Sequence, residues 1–216
     1  MIRQRRSAVA MDGETRLSRA DFYRMLDRTL AVPGAVPFNT LPWTSQLHLA
    51  LMVHRVDDLP PGLYLLVRDP AQRAVLEQAL NQADPWHKPP GCPQQLPLYC
   101  LIERDTRAAA RAISCQQDIA SDGCFSLAML AEFSDPLQRY GPWFYPRLYW
   151  EAGMIGQLLY LEAEAAGIRS TGIGCFFDDP MHELLGLADR SFQDIYHFTV
   201  GGAVEDVRLS TLPAYK

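Results

Sequence analysis

Leu148, Ala152, Ile155, Leu159, Ala163 and Ala166 recur at steps of four and three, the spacing that stacks side chains along one face of an α-helix. Leu158 and Leu161 widen that face, and Gly167 supplies a stop just past it. A helix apolar over so broad an arc must be covered on more than one side, so it lies at the centre of the fold or in a subunit interface. Gly153 and Gly156 would let another helix approach it closely.

The rest of the chain has to supply layers around that segment. Residues 17–30 predict a helix, with Ser18 as N-cap and Phe22, Met25, Leu26 and Leu30 near a 3.6-residue period. Pro33, Gly34, Pro37 and Pro42 cannot continue it, so 32–45 reads as an ordered loop long enough to carry a functional role. Leu47–Val53 and Leu63–Val67 flank the turn-forming stretch from Asp57 to Gly62 and predict a hairpin. Pro70–Ala83 reads as a helix, Asp84–Pro97 as a surface loop and Leu98–Ile102 as a central strand. Ala109, Ile113, Ala120, Leu127 and Leu130 suit one long helix over Arg107–Phe133, in which Gly123 would cost about 1 kcal/mol relative to Ala and mark a kink or close contact. A Gly-rich loop at Ser170–Asp179, a short helix near Pro180–Leu187 and a strand at Ile195–Val200 complete the order. Helices and strands interleave without a βαβ rhythm, so the fold class is α+β, a sheet packed against long helices. A length of 216 residues fits one domain or a tightly joined pair.

Charge and cysteine usage narrow the function classes. A net charge of -5 argues against a surface that neutralises many phosphates, so nucleic acid is not expected as a partner. Cys92, Cys100, Cys115, Cys124 and Cys175 are odd in number, contain no C-x-x-C pair and have no zinc-ligand spacing, and read as reduced thiols of a cytoplasmic protein. The N-terminus is basic but has no apolar stretch behind it, and apolar runs such as Leu47–Val53 are far below spanning length. Neither secretion nor a membrane is expected.

Few residues offer chemistry. Arg5, Arg6 and Ser7 combine two guanidinium groups with a hydroxyl and could hold a phosphate dianion, or form a solvated basic tail. In Thr171–Asp179, Gly172 and Gly174 let backbone pass close to a flat ligand with free N–H groups aimed at it, though an ordinary glycine turn has the same spacing. Arg208 could bring a second cation to the same phosphate, or be a plain surface residue. His197, inside an apolar run, reads as a hydrogen-bonded core residue, and Cys175 as a small buried hydrophobe. Asp178 and Asp179 read as caps of the following helix.

In order along the chain, Arg5-Arg6-Ser7, the Pro33–Trp43 loop, the segment Glu151–Ala163, the stretch from Thr171 to Asp179 with Leu184–Leu187 behind it, and the end from Gly201 to Leu212 resemble the nitroreductase superfamily, most nearly its SagB-type dehydrogenase-like branch. The resemblance implies a single domain over 1–216 with a mixed, mostly antiparallel sheet, and an FMN-dependent oxidoreductase. It implies that Arg5, Arg6 and Ser7 grip the phosphate and ribityl chain, with Arg208 joining from the C-terminal end. Gly172, Ile173, Gly174 and Cys175 would lie along the ring, the N–H groups of Gly174 and Cys175 facing N5 and O4. Asn39 would reach the flavin of the neighbouring subunit in a homodimer with shared sites. The substrate would be peptide-derived or a small electron-poor compound. Against the family pattern, Val9 stands where a second basic residue is common, and neither the mid-chain Asn or Lys nor a Lys-Tyr pair has a match. The alternative is a degenerate scaffold or assembly subunit that no longer binds flavin; a third reading is a thiol-based redox protein using Cys175 or Cys115.

Overall fold

The computed structural model describes residues 2–80, 82, 84–208, 210 and 212. In chain order the principal elements are α1 (Arg19–Arg28), β1 (Leu47–Val53), β2 (Gly62–Leu66), α2 (Arg73–Ala79), β3 (Leu98–Glu103), α3 (Arg107–Ile113), α4 (Asp118–Asp122), β4 (Phe125–Glu132), α5 (Ser134–Tyr140), α6 (Tyr145–Ala165), β5 (Arg169–Ile173), α7 (Asp178–Leu185) and β6 (Phe192–Gly201). The strands form one sheet in the order β3-β2-β1-β4-β6-β5, and each neighbouring pair is antiparallel. The sheet of this α+β fold is antiparallel between its six strands, and Ser7 adds an isolated parallel bridge at Ser170 of β5.

Both faces of the sheet are covered, which is why β1, β2 and β4 read as largely apolar runs without alternation. On one face Leu49, Leu51, Leu127 and Met129 pack with Phe22 and Leu26 of α1 and with Ile155 and Leu159 of α6. On the other, Ala50, Met52, Ala128 and Leu130 pack with Leu76, Ala110, Met181 and Leu185 from the shorter helices. Helix α6 is central, as its pattern demands, and Gly167 stops it at φ +74°. Gly156 faces the Phe198 ring of β6 rather than another helix, and Gly153 faces open space. Ser18 caps α1 by accepting the Asp21 N–H, and the predicted hairpin is β1–β2.

Several expectations fail, for identifiable reasons. The segment 107–133 is not one helix. Cys115 and Gln116 turn the chain at φ 54° and 60°, and Gly123 sits so close to β6 that a Cβ would meet Thr199 Oγ1 at 2.5 Å. Its second half is the central strand β4, where burial on both faces overrides the helix preference of Leu, Ala and Met. Strand β3 lies at the sheet edge rather than the centre, and on its outer side an isolated bridge joins His87 to Cys100. The expected helix over 70–83 is a 3-10 turn at Pro70–Gln72 followed by α2, and residues 81 and 83 lie outside the described set. The first part of the 170–179 loop is the edge strand β5. Asp178 and Asp179 form the first turn of α7 instead of capping it. The five cysteines are not all reduced: Cys115 and Cys175 form a disulfide with Cα atoms 5.9 Å apart. Cys175 is exposed rather than buried.

Candidate functional site

Both ends of the chain are laid against the β5–β6 edge. Ser7 forms a parallel bridge with Ser170, and the Ala8 N–H donates to Ser170 O at 3.1 Å. From the other end, Met11 bridges Ala203, the Asp12 N–H donates to Gly202 O at 2.9 Å, and the Val204 N–H donates to Ala10 O at 3.0 Å. Residues 10–12 and 202–204 therefore lie side by side, next to a groove of about 500 Å³ lined by Arg6, Ser7, Glu164, Arg169, Glu205 and Asp206 among others.

The charges in that groove are largely paired with one another. Arg169 binds Glu164 closely and lies 3.9 Å from Glu205. Arg6 turns its guanidinium onto the chain itself, donating to Arg5 O at 2.7 Å, Arg3 O at 3.2 Å and Leu212 O at 3.4 Å. Arg5 lies over the Tyr160 ring, 4.5 Å from its centroid. Arg208 does not join them: its side chain is 86% exposed and forks onto Asp206 at 2.7 and 2.8 Å, and this contact holds the Asp206 carboxyl below its usual range. The residues between Gly201 and Leu212 include 209 and 211, which lie outside the described set.

Tyr160 of α6 ties the N-terminal strand to β5. Its hydroxyl lies 2.8 Å from Ser7 Oγ and accepts the Gly172 N–H at 3.2 Å. Tyr196 packs against Gly172 so tightly that a Cβ there would sit 2.3 Å from its hydroxyl, so a side chain at this position would displace the Tyr196 ring. Tyr160, Tyr196, Gly156 and Phe198 also line a smaller cavity of about 210 Å³ between α6 and β6. Sequence reasoning missed both tyrosines, although Gly156 and Tyr160, four apart on one helix, offered a signal.

Beyond Gly172 the backbone opens. Ile173 is buried, and a Cβ built on Gly174 would meet nothing within 4 Å. Among the described residues no group accepts the N–H of Gly174 or of Cys175. The loop is nonetheless well anchored: the Phe177 N–H donates to Ile113 O at 2.8 Å, Gln117 Nε2 donates to Cys175 O at 3.1 Å, and the Cys115–Cys175 bond closes the third side. Phe176 stacks on His197 at 4.4 Å, and His197 Nε2 meets Asp194 Oδ2 at 2.6 Å. His197 is the buried, hydrogen-bonded core residue its surroundings predict. Burial raises the Asp194 carboxyl above its usual range, while His197 pulls it back down.

Asn39 stands apart from this edge, in a 3-10 turn at Phe38–Thr40, where its amide donates to Gly34 O at 3.4 Å. It lines a separate cavity of about 230 Å³ with Phe38, Trp43, Ser45, Arg68 and Asp69. Beside β3, His87, Cys100 and Glu103 bring ligand-type atoms within 4.8 Å of one another, a grouping their sequence spacing does not reveal.

Comparison with solved structures shows the fold. A protein from Anabaena variabilis described as a nitroreductase superposes with a TM-score of 0.71 at 21% identity, over 93% of this chain and 37% of its own. This chain thus spans just over a third of that protein's length. A chain of the Escherichia coli microcin synthetase McbBCD complex, with truncated pro-MccB17 bound, gives a TM-score of 0.65 at 16% identity over 93% of this chain and 69% of that one. A protein from Exiguobacterium sibiricum, described as a nitroreductase and in complex with FMN, gives 0.53 at 12% identity over 97% and 90%. A search of curated proteins found no match. The sequence model of the Nitroreductase family spans residues 2–202, and the chain belongs to that family.

Proposed function

We propose that this chain is an FMN-binding oxidoreductase domain of the SagB-type branch, acting on a peptide-derived or small electron-poor substrate. The observation that carries the reading is the pair of consecutive, unaccepted N–H groups at Gly174 and Cys175, beside a glycine with open space where a side chain would project. Such donors suit the edge of a planar heteroaromatic ring, with the peptides of Gly172 and Ile173 along its face. Arg5, Arg6 and Ser7 supply the phosphate and ribityl contacts. Arg208 serves only if it leaves Asp206, so the phosphate grip rests on the N-terminal residues. When bound, FMN supplies hydride chemistry; the chain binds it, orients it and donates hydrogen bonds to its edge. The peptide-derived substrate finds support in the microcin synthetase McbBCD complex, which has truncated pro-MccB17 bound.

The site is completed by a second subunit in a homodimer, the reading in which Asn39 reaches the neighbouring flavin. Helix α6, the 3-10 turn Pro142–Phe144 before it and the loop before β1 leave Trp150, Trp143 and Val36 exposed around an apolar groove of about 960 Å³. A cytoplasmic setting accords with the three free thiols, Cys92, Cys100 and Cys124, and in that setting the Cys115–Cys175 disulfide would face reduction. The scaffold reading is favoured by a specific observation too, since Tyr160 already occupies Ser7 and the Gly172 N–H.

Titration of the purified protein with FMN, followed by flavin fluorescence and absorbance, separates the two. Saturable binding is expected, weakened roughly tenfold to a hundredfold by Arg6→Ala, since a charge-assisted contact is worth about 1.5–3 kcal/mol. A colourless protein that takes up no FMN establishes the scaffold.

A further inference from the structure

We infer that Cys115 and Cys175 form a reversible thiol-exchange site, reduced by low-molecular-weight thiols, whose state governs the loop that carries the open N–H groups. This holds whether or not FMN binds. The two sulfurs come from positions separated by 60 residues and are joined at the molecular surface, with Cys175 exposed and Cys115 half-buried. Exposed disulfides are the labile and regulatory ones, whereas structural bonds are shielded.

The backbone around the bond also distinguishes this pair. Cys115 and Gln116 are consecutive residues in the left-handed region, at φ 54° and 60°, a conformation disfavoured for any residue with a Cβ. That turn places Cys115 against Cys175 between α3 and α4. Once the bond is open, the Phe177 N–H to Ile113 O bond and the Gln117 amide on Cys175 O still hold the loop near that turn, and Phe176 stays stacked on His197. The disulfide is therefore a clasp between the α3–α4 turn and residues 174–177. Because the Cys175 N–H belongs to the clasped residue, opening the bond shifts one of the two free donors.

The exchange balances as follows. A thiolate attacks the accessible Cys175 Sγ, the Cys115–Cys175 bond breaks, and Cys115 leaves as a thiolate that takes a proton from water. A second thiolate attacks the sulfur of the small-molecule half of the mixed disulfide, forming the small-molecule disulfide and releasing Cys175, which is protonated in turn. Two small thiols are oxidised and one protein disulfide is reduced.

The test uses the full chain with reduced glutathione under native conditions, followed by alkylation and peptide mass mapping. Cys115 and Cys175 are expected to become labelled while the buried Cys100 and Cys124 stay protected. Amide hydrogen exchange at Phe177 and Gln117 should quicken about tenfold in the reduced protein, as local restraint is lost. A Cys115→Ser variant should show the same fast exchange without glutathione. Resistance of the pair to glutathione until the protein is denatured would overturn the inference, as would equal exchange in the two states or thiols that oxidised glutathione cannot join.

Discussion

Replacing Glu151 by Gln should be among the most destabilising single changes in this molecule that leave side-chain volume unaltered. Glu151 and Arg68 have fully buried side chains and form a close ion pair between α6 and the end of β2. The carboxylate also accepts from Ser45 Oγ at 2.6 Å and from the Gln46 N–H at 2.9 Å. The guanidinium donates to Thr29 O at 2.7 Å and to Leu47 O at 2.8 Å, so the pair joins α1, β1 and α6 at one point. Arg68 Nη2 already has no partner among the described residues. Neutralising the anion leaves a buried cation uncompensated, which costs about 3–5 kcal/mol. At about 2–4 °C per kcal/mol for a chain of this size, Tm should fall by roughly 6–20 °C. Removing both ions, as in Glu151→Leu with Arg68→Met, should recover much of the loss, because an apolar replacement of both partners is often close to neutral. The assay is urea denaturation of Glu151→Gln, of the single variants Glu151→Leu and Arg68→Met and of their double, followed by far-UV circular dichroism. Single losses below about 1 kcal/mol, or losses that add within about 0.5 kcal/mol in the double, would refute the assignment of a coupled buried pair.

Glu132 provides a pH test: burial, with repulsion from Asp69, Glu151 and Asp135, raises its carboxyl to about 7 from 4.5, so its contribution is fully present below about pH 4.5 and is lost as pH rises through 7. His48 and His54 are lowered by burial to about 3 and about 4 and act oppositely, their contribution present above pH 6.5 and lost as pH falls. Glu132→Gln should therefore steepen the rise of stability between pH 4.5 and 6.5, and an unchanged slope in pH-resolved melting would count against the raised carboxyl. Tyr160→Phe should cost about 1–2 kcal/mol by leaving the Gly172 N–H unsatisfied, yet free Ser7, so FMN affinity should hold or rise; weaker binding in titration would mean that Tyr160 itself touches the flavin. Trp150→Glu, at an exposed position on the apolar face of α6, tests the proposed homodimer: light scattering should show dimer for the parent and monomer for the variant with a cooperative melt, and a parent that is already monomeric, or a variant that stays dimeric, refutes the assignment of that face.

How much of this was legible in the sequence depended on whether a residue's role was decided by its near neighbours. Helix α6 was legible because its apolar arc repeats over its whole length, and α1 because Ser18 and Asp21 cap it locally. Strand β4 was not, because a run buried on both faces shows no alternation, and its Leu, Ala and Met fit a helix equally well until β1 and β6 flank it. The same limit governs the site. Gly174 announced an open backbone, but Gly172 is covered by the hydroxyls of Tyr160 and Tyr196, which packing between distant elements brings there. Glu151 is the sharpest case. It falls on the buried side of α6, between Leu148 and Ala152, where a lone carboxylate cannot remain charged without a cation. The sequence offers 20 Lys and Arg residues as partners, and only the β1–β2 hairpin, by placing Arg68 just beyond its second strand, selects one. The Cys115–Cys175 bond follows the same logic: two residues unremarkable in their own segments acquire chemistry when a left-handed turn and a glycine loop are folded onto each other.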